Sequence, residues 1–451
     1  MIKAQNLVAG QWQDNLKAST FYTLNPITNK PLPTQFQEAS SSQIHDALIR
    51  ASTIYESYAS TSFKVRIEFL QSIQKELNKS SNDILKTYQE ESALPSPRAE
   101  GEFQRTIDQI QRYIELLDEG TFIQPKINTS GPDLRKILYP IGPIAVFGAS
   151  NFPLAFSTAG GDTISVLASG CPLIIKAHPY HAGTSALVAE AILKAISYCG
   201  LPKEIFSHLG GVSHRIGGEL VSHPLLKGIG FTGSLSGGKA LYDLAQKREE
   251  PIPVFAEMGS VNPILITEKR LLTDKNLSET LANSIAQGTG QFCTNPGMII
   301  LCDPQGISKI TSKVIDHLSK MILPPMVHIN IENFKEKSSL YTWMYRIASN
   351  ESLNFIKSKA SKMGLKNQEW IESLVDGLIA DPYFDGDEAA IILQKQVAQL
   401  PEKQRIVFNM RYFDRMNYES ISEILGTSIG ALKSSYHHAV KKIKIRLNNE
   451  N

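Results

Sequence analysis

The sequence predicts an α/β protein: a doubly wound sheet carrying an incomplete second domain, followed by an all-α segment that ends in a helix-turn-helix. Three observations carry this expectation. Between about residues 136 and 302, short apolar runs alternate with helical stretches. After about residue 325 that alternation stops. The last helical stretch, Lys433 to Arg446, holds five bases, two histidines and no acid.

Composition narrows the class. At roughly 150 residues per domain, 451 residues suit about three domains. Hydrophobic residues at 42% and charged residues at 20% suit a packed core and exclude a chain disordered by composition. A net charge of +2 gives no overall field toward nucleic acid, although an average can hide a local one. Cys171, Cys199, Cys293 and Cys302 form no CxxC pair, so neither a zinc ribbon nor a disulfide scaffold is expected, and no metal ligand is assigned. The N-terminus lacks a basic-then-apolar leader, and no apolar run approaches the roughly 20 residues that span a bilayer. No membrane partner and a cytoplasmic location are therefore expected.

The elements follow in order. Residues 45–120 read as amphipathic helix, with Ile67, Leu70, Ile73 and Leu77 on one face. The runs Ile144–Phe147, Leu173–Ile175 and Leu265–Ile266 read as strands buried on both faces, as in a parallel sheet covered by helices. Ser185 to Ser197 and Lys239 to Lys247 read as helices between strands, with Gly and Pro at the turns. Together they make βαβ units.

Five positions within this part carry candidate chemistry. Cys293 lies in the glycine-rich run GTGQFCTNPG, after a helical stretch from Leu281 to Gln287. Gly288, Gly290 and Gly297 permit close backbone approach to a ligand. A catalytic thiol needs a lowered pKa and nearby N–H donors for an oxyanion, and such a turn can supply the donors. A lone cysteine is more often buried and inert, and the other three take that reading. Glu257 ends the apolar run Pro253-Val254-Phe255, at the ligand edge of such a sheet; it is either a general base or a solvated acid. Phe231-Thr232-Gly233-Ser234 joins a strand to a helix and is either a plain capping turn or an anion site for a pyrophosphate. Asn151, in GASNFP, can donate to an oxyanion. Lys176 ends the run Leu173–Ile175 and can reach toward a ribose hydroxyl. Neither a GxxxxGK[ST] loop nor a GxGxxG fingerprint is present.

The wording YPIGPIAVFGASNFPLAFSTAGGDTISVLASGCPLIIKAHP, GFTGS, PVFAEMGSVNP and GQFCTNPG resembles the aldehyde dehydrogenase superfamily, most closely its α-ketoglutarate semialdehyde (2,5-dioxovalerate) dehydrogenases. The resemblance covers residues 1 to about 328. It implies a Rossmann-like NAD(P)-binding domain over 1–257 and a partial catalytic domain over 258–328. It implies oxidation of a small aldehyde with NAD or NADP as cofactor. Cys293 becomes the nucleophile and forms a thiohemiacetal, then a thioester. Glu257 activates the hydrolytic water, Asn151 and the Cys293 N–H hold the oxyanion, and Lys176 with Phe231, Thr232, Gly233 and Ser234 serve the cofactor. The family continues well past its cysteine and forms homo-oligomers through that continuation. Nothing of the kind follows residue 328 here, so impaired activity is expected.

The remainder has a different logic. Ile421, Ile424 and Leu425 form one apolar helical face, Gly426 suits a left-handed cap, and Thr427 or Ser428 can start the next helix. That helix repeats Ile429, Leu432, Tyr436, Val440, Ile443 and Leu447, and its other face shows Lys433, Ser434, His437, Lys441 and Lys444. Such a helix either enters a DNA major groove or is a packed hairpin with a solvated basic face. Upstream, Tyr341, Trp343 and Tyr345 lie among Lys335, Lys337, Arg346, Lys357 and Lys359, as either a stacking surface for unpaired bases or ordinary core aromatics. Residues 369–388 hold seven acids and no base, which reads as a solvated linker.

NFKEKSSLYTWMYRIASNESLNFIKSKASK and LPEKQRIVFNMRYFDRMNYESISEILGTSIGALKSSYHHAVKKIKIRL resemble region 2 and region 4 of extracytoplasmic-function sigma factors of the sigma-70 group. The resemblance implies a partial region 2 over 331–366, an acidic linker over 367–388 and region 4 over 389–451. It implies that Tyr341, Trp343, Asn350 and Lys357 face the −10 element. It implies that Ser428, Ala431, Lys433, Ser434 and His437 face the −35 element, with Lys441 on the same basic flank. Promoter DNA and RNA polymerase core become the expected partners, the latter weakened because the opening helices of region 2 are missing. The chain thus reads as a dehydrogenase lacking its end joined near 324–332 to a sigma factor lacking its start. Aldehyde oxidation, sigma-like DNA binding, and a non-functional fusion or assembly artefact are the three readings that follow.

Overall fold

A computed structural model describes residues 2–15, 17–301, 306–323, 396–397, 399–412 and 416–449. The chain divides into two compact units, Met1–Ile329 and Asn330–Asn451.

The first unit opens with two hairpins, β1 (Asn6–Val8) with β2 (Gln11–Gln13) and β3 (Thr20–Asn25) with β4 (Lys30–Gln37). The expected amphipathic stretch is four helices: α1 (Ser41–Ala59), α2 (Phe63–Lys79), α3 (Ser81–Ser92) and α4 (Ser96–Glu119). A capping box starts α1, in which the Gln43 N–H donates to the Ser40 hydroxyl and the Ser40 N–H to the Gln43 side chain. A third hairpin, β5 (Lys126–Asn128) with β6 (Leu134–Lys136), follows.

The βαβ units come next: β7 (Ile144–Phe147), α5 (Gly161–Ser169), β8 (Leu173–Lys176), α6 (Ala182–Tyr198), β9 (Phe206–Leu209), α7 (His214–Ser222), β10 (Gly228–Gly233), α8 (Leu235–Gln246) and β11 (Val254–Met258). The strand order is β11-β10-β7-β8-β9-β1-β2, parallel from β11 to β9 and antiparallel at β1 and β2. The chain leaves β7 toward β9, then returns to the other side of β7 with β10. That reversal is the topological switch point of a doubly wound sheet, where the crevice lies at the strands' carboxyl ends.

Side chains alternate across this sheet. Ile144, Val146, Leu173 and Ile175 join a core with residues of α2 to α6, whereas Ala145, Phe147, Ile174 and Ile229 join a second core with residues of α1 and α7. Helices therefore cover both faces, which is why the strands read as unbroken apolar runs.

The run Leu265–Ile266 departs from the expectation. It belongs to β12 (Asn262–Ile266), which pairs in parallel with β13 (Pro296–Leu301) in a separate two-stranded sheet. Leu265 is 65% exposed, so this strand is covered on one face only. Gly297 also differs from expectation. It sits within β13, where an added Cβ would lie 3.2 Å from the Val261 Cα, so its smallness serves strand packing. Among the described residues, three further helices follow: α9 (Glu268–Thr273), α10 (Leu277–Ala286) and α11 (Gly306–Lys320).

The second unit contains α12 (Glu402–Tyr412), α13 (Tyr418–Leu425) and α14 (Ile429–Asn449). Val407, Met410, Met416, Ile421 and Leu432 form one cluster, and Val397, Leu400, Phe408, Ala439 and Ile443 another. Among the described residues no helix is long and apolar enough to cross a membrane.

Candidate functional site

The carboxyl ends of β7, β10 and β11 lie side by side in the sheet, and four sequence-predicted positions fall there. Phe231, Thr232 and Gly233 end β10, and Thr232 pairs in register with Glu257 of β11. The Glu257 side chain is exposed. The Thr232 hydroxyl donates to Asp162 at 3.5 Å. Burial raises the Asp162 carboxyl above its ordinary range, and the charge of Glu257 adds to that rise.

Ser234 is the N-cap of α8, its hydroxyl accepting the Gly237 N–H at 3.2 Å. The cap moves the start of this helix back from the expected Lys239 to Leu235. At Gly238 a Cβ would lie 2.4 Å from Met258, so a glycine lets α8 sit against β11. The result is a helix start at the switch point whose first-turn N–H groups can meet an anion. Lys176, ending β8, donates to Gly211 O at 2.6 Å and Ala177 O at 3.1 Å. Burial lowers its pKa to about 8.

The Asn151 loop meets the cysteine turn across a sequence separation of 140 residues. The Asn151 Nδ2 donates to Gln291 O at 2.6 Å. Cys293 is half-buried and packs against the larger core. Its carbonyl accepts from Ser260 Oγ, and from Asn262 Nδ2 at 2.6 Å. Asn295 Nδ2 donates back to Gln287 O at 2.8 Å. Gly288, Thr289 and Gly290 all have positive φ. At Gly288 a Cβ would also lie 2.2 Å from the Phe292 ring. Both facts bar a side chain there.

Residues outside the sequence-predicted set hold this site. Glu102 is fully buried; its carboxylate accepts Leu154 N (2.9 Å), Ala155 N (3.0 Å) and the Tyr88 hydroxyl (2.7 Å), and pairs with Arg98 at 3.2 Å. His181 is buried with Nε2 2.7 Å from Ala149 O, and burial lowers its pKa to about 4. Both anchor the loop that carries Asn151. The only sequence signal for Arg98 and Glu102 was an i,i+4 pair, which normally marks a solvated helix surface.

In the second unit Gly426 has φ +60 and separates α13 from α14. Of the two candidate caps, Ser428 takes the role, accepting the Ala431 N–H at 3.4 Å. The Thr427 hydroxyl instead donates to Leu425 O. Leu432, Ala439 and Ile443 are buried, while Ser428, Ala431, Lys433, Ser434, His437 and Lys441 are all exposed. Tyr341, Trp343, Asn350 and Lys357 lie outside the described residues.

Comparison with known proteins matches this division. Residues 390–443 match the profile of Sigma-70, region 4. Residues 12–326 match that of the Aldehyde dehydrogenase family. An alpha-ketoglutaric semialdehyde dehydrogenase of Acinetobacter baylyi is 40% identical over 309 residues, 66% of this chain and 58% of that protein. Alpha-ketoglutaric semialdehyde dehydrogenase 2 of Azospirillum brasilense is 38% identical over 313 residues, 67% of this chain and 60% of that protein. The chain therefore spans well under two thirds of these relatives. An aldehyde dehydrogenase structure from Bartonella henselae matches with a TM-score of 0.65 at 21% identity, over 74% of this chain and 70% of that one. A 1-pyrroline-5-carboxylate dehydrogenase from Thermus, solved with bound NAD, matches with a TM-score of 0.65 at 21% identity, over 73% of this chain and 64% of that one. With the switch-point sheet, the glycine-bounded cysteine turn and a family match over most of its length, this chain belongs to the aldehyde dehydrogenase family.

Proposed function

We propose that this chain is built to oxidise an aldehyde to a carboxylate with NAD or NADP through a thioester on Cys293, and that α-ketoglutarate semialdehyde is its substrate. The hydrogen bond from Asn151 to Gln291 is the observation that carries the reading, because it joins the loop after β7 to the cysteine turn. The identity to the two semialdehyde dehydrogenases supports the substrate. In this reading residues 1–257 form the cofactor domain and 258–328 a partial catalytic domain.

Cys293 Sγ adds to the aldehyde carbon. An amide NH2 carries two hydrogens, so Asn151 keeps one for the oxyanion beside the Cys293 N–H. Bound at the start of α8, a nicotinamide cofactor supplies the hydride acceptor. Lys176 has a third ammonium hydrogen for a ribose hydroxyl. Glu257, open to solvent, takes a proton from the water that cleaves the thioester. The expected result is slow formation of reduced nicotinamide from 2,5-dioxovalerate, abolished by Cys293→Ala. Equal rates in the two proteins would remove Cys293 from the reaction, and rates like those of full-length relatives would overturn the expected impairment. A cytoplasmic location completes this reading; exposed Ile127 and Leu134 on the β5–β6 hairpin favour self-association, but the family's own homo-oligomer contacts are made by a continuation that the matched residues do not include.

A second reading concerns the 389–451 segment, with 331–366 as partial region 2 and 367–388 as the linker. The open face of α14 supports binding of duplex promoter DNA, and RNA polymerase core would be engaged weakly. Fluorescence anisotropy should show weak binding that falls steeply with salt. Lys433→Glu with Lys441→Glu should abolish it; binding indifferent to both salt and this pair would sink the reading.

A further inference from the structure

Arg98, Glu102 and Arg105 occupy positions i, i+4 and i+7 of α4 and so share one helical face. Facing them is an aromatic wall. Phe152, the residue after Asn151, packs on Phe292, the residue before Cys293, with ring centroids 4.8 Å apart. Phe156 meets Phe152 edge-on at 5.1 Å. The Arg98 guanidinium lies 4.9 Å from the Phe152 ring and 4.5 Å from the Phe292 ring. That of Arg105 lies 5.0 Å from Phe156 and 5.9 Å from Phe152.

The two arginines differ in how their charge is met. Arg98 pairs with the buried Glu102. Arg105 is exposed and takes part in none of the ion pairs among the described residues. Arg98 Nε is buried and lacks a hydrogen-bond partner among the described residues. A guanidinium stacked on a ring keeps its in-plane N–H donors for a carboxylate, which it can grip bidentately.

We propose that Arg105, with Arg98 behind it, is the subsite for the distal carboxylate of a dicarboxylic semialdehyde. The proposal rests on Cys293 as the nucleophile: the aldehyde end reacts at the thiol while the far carboxylate lies along the aromatic wall at Arg105. In the reaction the thiol adds across the carbonyl. A carbon–sulfur bond forms, the carbonyl π bond becomes a carbon–oxygen single bond, and the thiol proton ends on that oxygen. Arg105 is a specificity residue here and takes no part in the bond changes.

The test is protection of Cys293 in the full chain from iodoacetamide, followed by peptide mass, using 5-oxopentanoate and pentanal, which match in length but differ in the carboxylate. 5-Oxopentanoate should protect at a roughly tenfold lower concentration than pentanal. Arg105→Gln should erase that difference while leaving protection by pentanal unchanged, and Arg105→Lys should restore only part of it. Equal protection of the wild type by both aldehydes, or a preference that survives Arg105→Gln, overturns the subsite while leaving Cys293 as nucleophile. Protection by neither aldehyde overturns the Cys293 reading and the subsite with it.

Discussion

His181 and His208 show how a single buried group ties the site to the fold. His181 meets Ala149 O under the Asn151 loop, and His208 meets Ser185 Oγ at 2.7 Å. Burial lowers His181 to about 4 and His208 to about 3, against an ordinary value of 6.5. Below 6.5 the unfolded chain binds protons that the folded chain refuses. The stability these groups allow is thus present above 6.5 and is lost as pH falls toward 4 and below. Each histidine therefore makes stability fall with acid inside that window. His208→Gln should make the urea midpoint less sensitive to acid; an unchanged slope would exclude His208 as a source. The residue types at the candidate site were legible in the sequence, because Cys293, Glu257, Asn151 and Ser234 each sit in a short motif beside a strand or turn. Glu102 and His181 were not, because their roles depend on burial against residues far away in the chain.

At the scale of elements, the fold depends on helix ends that are capped from elsewhere. Arg66 of α2 is buried and donates five hydrogen bonds. They go to Ala59 O (2.7 Å), Thr61 O (2.9 Å), Thr61 Oγ1 (3.0 Å), Ser169 O (3.0 Å) and Ala168 O (3.3 Å). It thereby satisfies carbonyls at the carboxyl ends of both α1 and α5. Burial lowers its pKa, yet a guanidinium remains charged. Arg66→Met should strand these carbonyls and cost on the order of 3 kcal/mol, seen as a lower denaturant midpoint. A loss within error would mean that water replaces the guanidinium. Periodicity found α1 to α4 and α14, and apolar runs found β7 and β8. The run Leu265–Ile266 was assigned to the wrong sheet, because an apolar run states that a strand is buried and not which neighbour buries it.

On the scale of the whole molecule, each unit has its own core, and the first presents apolar side chains at its strand edges. β11 is an edge strand with Phe255 69% exposed, and Met298 and Ile300 of β13 are exposed as well. Open edges and apolar patches favour association. Sedimentation velocity should show species that grow with concentration, and Phe255→Lys with Leu265→Lys should shift them toward the monomer. Concentration-independent sedimentation of the unaltered chain would show that these strands do not associate.

The sequence by itself determined that two unlike architectures share one chain, because buried-strand alternation and helical periodicity are local patterns that need no partner. It also placed the cysteine turn and the basic face of α14. Only the tertiary structure decided that β10 returns beside β7, which brings Ser234, Glu257 and the Asn151 loop to one sheet edge. Strand order is a long-range choice that local spacing does not encode. The same holds for Arg98 and Arg105: on a helix wheel they are surface cations, and only the aromatic wall opposite them gives their charge a direction.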